Sequence, residues 1–375
     1  MKIVVNTRFL LTNKLEGIGW FTYETLRRIV ESHPQDEFIF LFDRPYDPVF
    51  IFAKNVTPIV LQPPARHPFL WYIWFEISVK RTLKRLKPDV FLSPDGYCTL
   101  QTDIPTVMVT HDIAHVHYAE QIPYLARKYY HYYIPKFLKA ATRIIAVSNY
   151  TKRDIINSYQ IASDKIAIAC NGCRKDFQPL LETEKVTVRK QYAAGQEYFF
   201  YLGAMHPRKN IARLIQAFDH FKKETASPIK LLLGGRLAWQ IAAIKNAYET
   251  AKYKEDIILL GYIDNAELPK ILGAAMALTY VSLFEGFGIP ILEAMHCEVP
   301  VLTSNVSSMP EVGGDAALLI NPTSVTEIAA GMTRLSQEQT LRQKLIEKGK
   351  RQRQKFTWEI AAAVIYDNLQ KSTLK

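Results

Sequence analysis

Short apolar runs alternate with amphipathic stretches along most of the 375 residues. Residues 2–5, 38–42, 88–92, 105–110 and 143–147 each read as a buried strand bounded by turn-forming residues. Between them the period lengthens to that of a helix, as in Trp20, Tyr23, Leu26 and Ile29. Residues 171–192 lose strand periodicity, carry Pro179 and read as a linker. A second alternation follows, with strands at 198–202, 230–233, 257–260, 274–281, 299–303 and 316–320. Strand–helix alternation builds parallel sheets covered on both faces, so the pattern predicts an α/β chain of two doubly wound domains facing one another. The boundaries predicted are 1–175 and 176–357.

Ligands of such sheets bind beyond the carboxyl ends of the strands, which makes the strand-to-helix turns the places to search. The richest is Glu285-Gly286-Phe287-Gly288-Ile289-Pro290-Ile291-Leu292-Glu293, after the apolar run 274–281. Pro290 suits a first helical turn, the glycines allow a ligand close to the backbone, and a helix N-terminus favours an anion. Two ionised glutamates offer acceptors for the paired hydroxyls of a sugar or ribose. Taken alone, the same stretch is equally a helix start whose carboxylates are stabilised by the macrodipole.

A second turn, Gly203-Ala204-Met205-His206-Pro207-Arg208-Lys209-Asn210, places two cations at a helix N-terminus, where the macrodipole disfavours them. A bound diphosphate would offset that repulsion. Near the start of the chain, Gly17-Ile18-Gly19 precedes a helical pattern but lacks the third glycine and the position of a dinucleotide fingerprint. His111-Asp112 closes the strand at 105–110; a His there is either a structural hydrogen-bonder or a group on the ligand rim.

Composition narrows the class. Apolar content of 48% with 22% charged residues is that of a folded, not a disordered, chain. No stretch has the length of a membrane span and the N-terminus lacks a leader's apolar region, so a cytoplasmic location is expected. The Cys170–Cys173 pair has no partner ligands at zinc-site spacing, and no metal site is predicted. The formal charge of +11 admits polyanions, an anionic membrane surface or an anionic substrate. Phe69 to Phe75 opens a helix that turns basic at Lys80-Arg81 and Lys84-Arg85; it reads as an interfacial membrane contact or as a core-facing aromatic face with a solvated end. No nucleic-acid module is recognisable, and a nucleic-acid partner is not expected.

Taken together, these stretches resemble the retaining glycosyltransferases of family 4, with the two-domain GT-B architecture and a cleft between its Rossmann-like halves. The resemblance spans essentially the whole chain. It rests on the two glutamates of 285–293, Pro207 to Asn210, His111-Asp112, Gly17 to Gly19, Ala146-Val147-Ser148 and Gly313 to Ala317. It implies that Arg208 and Lys209 bind the donor diphosphate and Glu293 the nucleotide ribose. Glu285 and the amides of Gly286, Phe287 and Gly288 would hold the donor hexose, Gly17 and Gly19 would approach the phosphates, and His111 would sit near the reacting sugar. His111 and Glu285 are thus the implied catalytic pair. It also implies an acceptor-side domain over 1–175, rejoined by a C-terminal crossover helix at 358–373, and a donor domain over 176–357. No cofactor is implied beyond the nucleotide-sugar co-substrate, and no metal is required. Asn6, Trp20 and His206 stand where relatives often carry Asp, Arg and an acidic residue.

Within the family the motifs look most like bacterial mannosyltransferases of O-antigen or exopolysaccharide assembly. GDP-mannose is then the expected donor, with UDP-glucose and UDP-N-acetylglucosamine as alternatives. The expected acceptor is a saccharide or lipid-linked saccharide, reached with a peripheral contact at the cytoplasmic face of the membrane. Two other readings stay open: a sugar phosphorylase or epimerase on the same architecture, and a non-enzymatic polyanion binder.

Overall fold

The computed structural model describes residues 1–12, 15–236 and 242–374. The chain divides into two compact units, one of Met1–Gly172 with Thr357–Lys375 and the other of Cys173–Phe356.

In the first unit, β1 (Lys2–Asn6), β2 (Glu37–Phe42), β3 (Val56–Val60), β4 (Val90–Ser93), β5 (Thr106–Thr110), β6 (Arg143–Ala146) and β7 (Ile166–Ile168) form one sheet in the order 3-2-1-4-5-6-7. All its pairings are parallel; Val4 lies opposite both Ile39 and Phe91. A parallel sheet covered on both faces needs continuous apolar strands, which explains why β2 and β5 are buried almost throughout. Phe38, Phe40 and Phe42 are nearly inaccessible, each contributing roughly 2–3 kcal/mol of burial. The helix Trp358–Thr373 packs beside the helix Gly17–Ser32, where Phe21 meets Trp358 edge to face, 6.0 Å between centroids. Arg28 of the earlier helix pairs with Glu359 of the later one at 2.8 Å.

In the second unit, β8 (Tyr198–Leu202), β9 (Lys230–Gly234), β10 (Ile257–Gly261), β11 (Ala277–Tyr280), β12 (Val301–Ser304) and β13 (Ala317–Ile320) run parallel in the order 10-9-8-11-12-13. Each sheet reverses its winding once, between β1 and β4 in the first unit and between β8 and β11 in the second. These switch points are where an open α/β sheet leaves a crevice beyond its strand ends.

Three local expectations are revised. The apolar run at 274–281 is strand only over Ala277–Tyr280, because Ala274 to Met276 still follow the end of the helix Leu268–Gly273. The stretch assigned as linker holds a helix, Glu182–Ala193, in which only Val188 and Ala193 are buried; so little of it faces the core that its periodicity is faint. The edge strands β3 and β7 went unmarked, the first interrupted by Pro58 and the second only three residues long.

Candidate functional site

The switch point of the second unit is built by three turns. After β11 the chain loops through Glu285 to Gly288 and enters the helix Ile289–His296, with Pro290 in its first turn. Gly288 adopts φ +99°, a conformation that strains any L side chain, and this lets the loop pass directly into the helix. Two serines fix the loop. Glu285 N–H donates to Ser307 Oγ at 2.9 Å, and the Ser308 hydroxyl donates to the carbonyls of Glu285 and Phe287, both at 2.9 Å.

After β8 the chain forms a 3-10 turn over Pro207–Lys209 and then the helix Ile211–Thr225. Asn210 joins the two in a left-handed conformation, and its buried amide donates to Val281 O at 3.0 Å and Pro322 O at 2.6 Å. The turn is thereby tied to the end of β11, which carries Arg208 and Lys209 to Glu285. The Lys209 ammonium donates to Glu285 Oε1 and, at 3.1 Å, to Tyr280 Oη. Arg208 donates to Phe284 O at 3.0 Å and reaches Glu285 Oε2 at 3.4 Å, while the Tyr280 hydroxyl donates to Glu285 Oε1 at 2.7 Å. Burial alone would lift the Glu285 carboxyl, but Lys209 and Arg208, with hydrogen bonds from Lys209 and Tyr280, hold it down at about 2.

Glu293, eight positions on, is buried on the following helix and has the opposite environment. Burial pushes its carboxyl up to about 7; Arg174 opposes the shift and Asp176 adds to it. One carboxylate of the pair is thus firmly ionised and the other poised near neutrality.

At the ends of β8 and β9 two backbones meet closely. Gly235 has φ +138°, and a Cβ there would lie 1.9 Å from Gly203 O. Gly203 N–H donates to Gly234 O and Gly235 N–H to Gly261 O, so the three strands continue to pair beyond their ends.

The switch point of the first unit is also polar. Asn6 donates to Ser93 Oγ at 3.1 Å, linking β1 to β4, and Ser93 donates to Asp95 at 3.2 Å. Arg8 is buried, pairs with Asp95 at 2.5 Å and lies 4.2 Å from the centre of the Tyr97 ring. Burial disfavours its charge, yet Asp95 more than compensates and keeps the guanidinium protonated. Beside this pair lies a cavity of about 250 Å³ whose polar lining includes Asp95, Tyr97, Thr110, His111, Asp112 and Tyr130. The Thr110 hydroxyl is buried without a hydrogen-bond partner. His111 Nε2 donates to Pro94 O at 2.8 Å, since a carbonyl can only accept, and burial lowers the ring's pKa. The imidazole is therefore neutral, with Nδ1 left as an acceptor.

The structure gathers Arg208, Lys209 and Glu285 into one cluster, with Gly286, Phe287, Gly288 and Glu293 on the loop and helix that follow. His111, Gly17 and Gly19 belong to the other unit. There Gly17 and Gly19 form the first turn of a helix instead of a loop ahead of it, and a Cβ on Gly19 would meet Phe9 O at 2.9 Å. The cations next to Glu285 are offset by its carboxylate, an ion pair that the macrodipole argument at the Arg208-Lys209 turn did not foresee. Tyr280, Ser307, Ser308 and Gly235 carried no signal of their own, although Tyr280 does supply a polar tip at the end of an apolar strand.

Comparison with known proteins fixes the class. A family model described as Glycosyltransferase Family 4 matches residues 15–177, and one described as Glycosyl transferases group 1 matches residues 184–352. The chain is 34% identical over 370 residues to O-antigen chain mannosyltransferase B of Escherichia coli, covering 96% of this chain and 97% of that protein. It is 27% identical over 276 residues to O-antigen chain mannosyltransferase RfbU of Salmonella typhimurium, covering 72% and 71%. Among solved structures, Anabaena HepE in complex with UDP and glucose superimposes with a TM-score of 0.76 at 16% identity over 99% of this chain and 100% of that one. WaaG, a glycosyltransferase involved in lipopolysaccharide biosynthesis, gives 0.74 at 15% identity over all of both chains. The chain belongs to the family 4 glycosyltransferases. It is a hexosyltransferase of polysaccharide biosynthesis with the GT-B fold, as the family models, the identity across its whole length and the structural neighbours together establish.

Proposed function

We propose that this glycosyltransferase is a retaining mannosyltransferase that moves mannose from GDP-mannose to a saccharide or lipid-linked saccharide during assembly of a cell-surface polysaccharide. The observation that carries the reading is the 34% identity to O-antigen chain mannosyltransferase B across nearly the full length of both chains.

In this reading Arg208 and Lys209 take the donor diphosphate. They now face Glu285, and a diphosphate competes for the same two cations with more charge and more acceptor oxygens. As the sugar departs, the negative charge growing on the diphosphate is stabilised by this guanidinium and ammonium, so that no metal ion is required. Glu285, relieved of part of its ion pairing, accepts from hexose hydroxyls next to the helix beginning at Ile289. Glu293 accepts from the ribose diol. The acceptor's terminal sugar occupies the cavity beside Arg8 and Asp95, which has room for a single sugar ring, and His111 Nδ1 accepts a hydrogen bond from it. The protein works on the cytoplasmic side of the membrane that holds a lipid-linked acceptor.

The test is transfer itself. The purified protein is incubated with GDP-mannose, UDP-glucose or UDP-N-acetylglucosamine and a mannose-terminated oligosaccharide, and the product is followed by mass and by the anomeric coupling of the new linkage. Mannose transfer with retained configuration supports the reading. Transfer from a UDP-sugar replaces the donor, and release of free sugar phosphate in phosphate buffer identifies a phosphorylase.

A further inference from the structure

The chain carries a formal charge of +11, yet the cavity of the first unit runs against it. Two carboxylates, Asp95 and Asp112, stand in its lining, and neither a lysine nor an arginine does. The neighbouring Arg8 does not make good the deficit. It is buried, Asp95 offsets its charge at 2.5 Å and Tyr97 covers its face, so Arg8 and Asp95 act on a ligand as one neutral pair. The histidines of the lining add no charge either. His111 is neutral, and burial brings the His115 ring down to about 4.

Asp112 is therefore the net charge of the cavity. The two lining carboxylates also differ in what they have left to accept. Asp95 is fully used, since its Oδ1 accepts from the Ser93 hydroxyl and Tyr97 N–H and its Oδ2 from Arg8. Asp112, half-buried just beyond β5, accepts from Ala114 N–H at 2.9 Å through Oδ1, which holds the side chain at the start of the short helix Ala114–His117. Among the described residues nothing donates to its Oδ2.

Open acceptors at Asp112 Oδ2 and His111 Nδ1 suit a ligand that brings hydroxyl groups. Thr110, on the same wall, has a buried hydroxyl with no hydrogen-bond partner among the described residues, so this side of the cavity is short of polar company. Phe9, Ile18, Ile122 and Ile134 complete the lining with apolar surface, which suits the C–H face of a sugar ring. A sugar bearing a carboxylate, phosphate or sulfate fits badly. It would bring acceptors to a wall that already accepts, and a second negative charge beside Asp112 with no cation to answer it.

We propose that Asp112 sets the class of acceptor: through Oδ2 it accepts from hydroxyls of an uncharged terminal hexose, and its charge keeps anionic sugars out of the cavity. This deepens the reading of the cavity as the acceptor site and rests on it, but it does not depend on which nucleotide sugar is the donor.

The test compares soluble oligosaccharides that end in mannuronic acid and in mannuronamide, beside the mannose-terminated parent. The amide keeps the shape of the acid and removes its charge. In the wild type, kcat/KM for the amide should exceed that for the acid by at least about tenfold. Asp112→Asn keeps the oxygen that accepts from Ala114 and loses the charge. It should narrow the ratio to within about threefold and raise KM for the mannose-terminated acceptor, with GDP affinity and the thermal midpoint unchanged as checks of the fold. Ile122→Lys, which sets a cation on the cavity wall, should narrow the same ratio by another route. An Asp112 that only shapes its turn would leave the ratio alone. Equal use of acid and amide by the wild type, or a ratio that neither substitution moves, overturns the proposal. The ratio is read with whichever nucleotide sugar is transferred. The same ratio and the same response to Asp112→Asn with a UDP-sugar would replace the donor and support this inference; mannose transfer from GDP-mannose with acid and amide used equally would keep the donor and overturn it.

Discussion

Lys209 donates to Glu285 beyond the end of β11, and Tyr280 donates to the same carboxylate oxygen from 2.7 Å. A cation assigned to an anionic ligand is therefore already held by a protein carboxylate, in an orientation fixed by Asn210 and Ser307. Such a pair keeps both groups charged and aligned before the ligand arrives.

The first prediction concerns that pair. Lys209→Ala leaves a buried carboxylate with one fewer partner and should cost about 3 kcal/mol of stability in urea unfolding at pH 7. Glu285 has its pKa depressed in the folded state, so its contribution is present above the unfolded value near 4.5 and is lost as pH falls through about 2. In the variant the folded pKa moves up toward or past the unfolded value, so this acid-dependent loss should shrink.

Glu293 behaves in the opposite sense. Its folded pKa is raised to about 7, so the folded state holds an extra proton between about 4.5 and 7, and stability falls as pH rises through that window. Glu293→Gln should remove the slope and be more stable than the wild type at pH 8, by on the order of 3 kcal/mol. If the carboxylate accepts from the ribose, nucleotide affinity in the wild type should rise from pH 6 to pH 8 and stay flat in the variant. Unfolding and binding curves at the two pH values decide both points.

Gly235→Ala should destabilise the second unit by more than about 2 kcal/mol, because the new methyl group would meet the Gly203 carbonyl in a backbone conformation L residues rarely adopt. Thermal unfolding measures it. Gly195→Ala is the control: it also has positive φ, but open space around it, so the difference between the two variants isolates the steric contact.

His111→Ala should lower turnover by about a hundredfold or more while sparing GDP affinity, since His111 lines the cavity of the first unit. Steady-state transfer and nucleotide titration on one preparation separate the two effects.

Much of this was legible in the chain. Apolar runs bounded by Gly, Pro and Asn marked the central strands, because a parallel sheet buried on both faces needs continuous hydrophobicity. Arg208, Lys209 and Glu285 were legible as the residues of two separate strand-end turns. Their meeting was not, since it depends on β8 and β11 being neighbours in the sheet although β9 and β10 intervene in sequence. The pairing of Arg8 with Asp95, 87 positions away, was not legible either, since it depends on β1 and β4 being neighbours. The serines that hold the Glu285 loop belong to the turn after β12, and nothing local marks Ser307 or Ser308 as its partners. The opposite charge states of Glu285 and Glu293 follow from burial and neighbours, neither of which their shared motif reveals.

The central claim, that the end of β11 holds a nucleoside diphosphate through Lys209 and Arg208, is tested most directly by calorimetric titration of GDP, UDP and ADP into the wild type and Lys209→Ala. The account predicts selective GDP binding in the wild type and a loss of at least about tenfold in the variant. Unchanged GDP affinity in Lys209→Ala would contradict it.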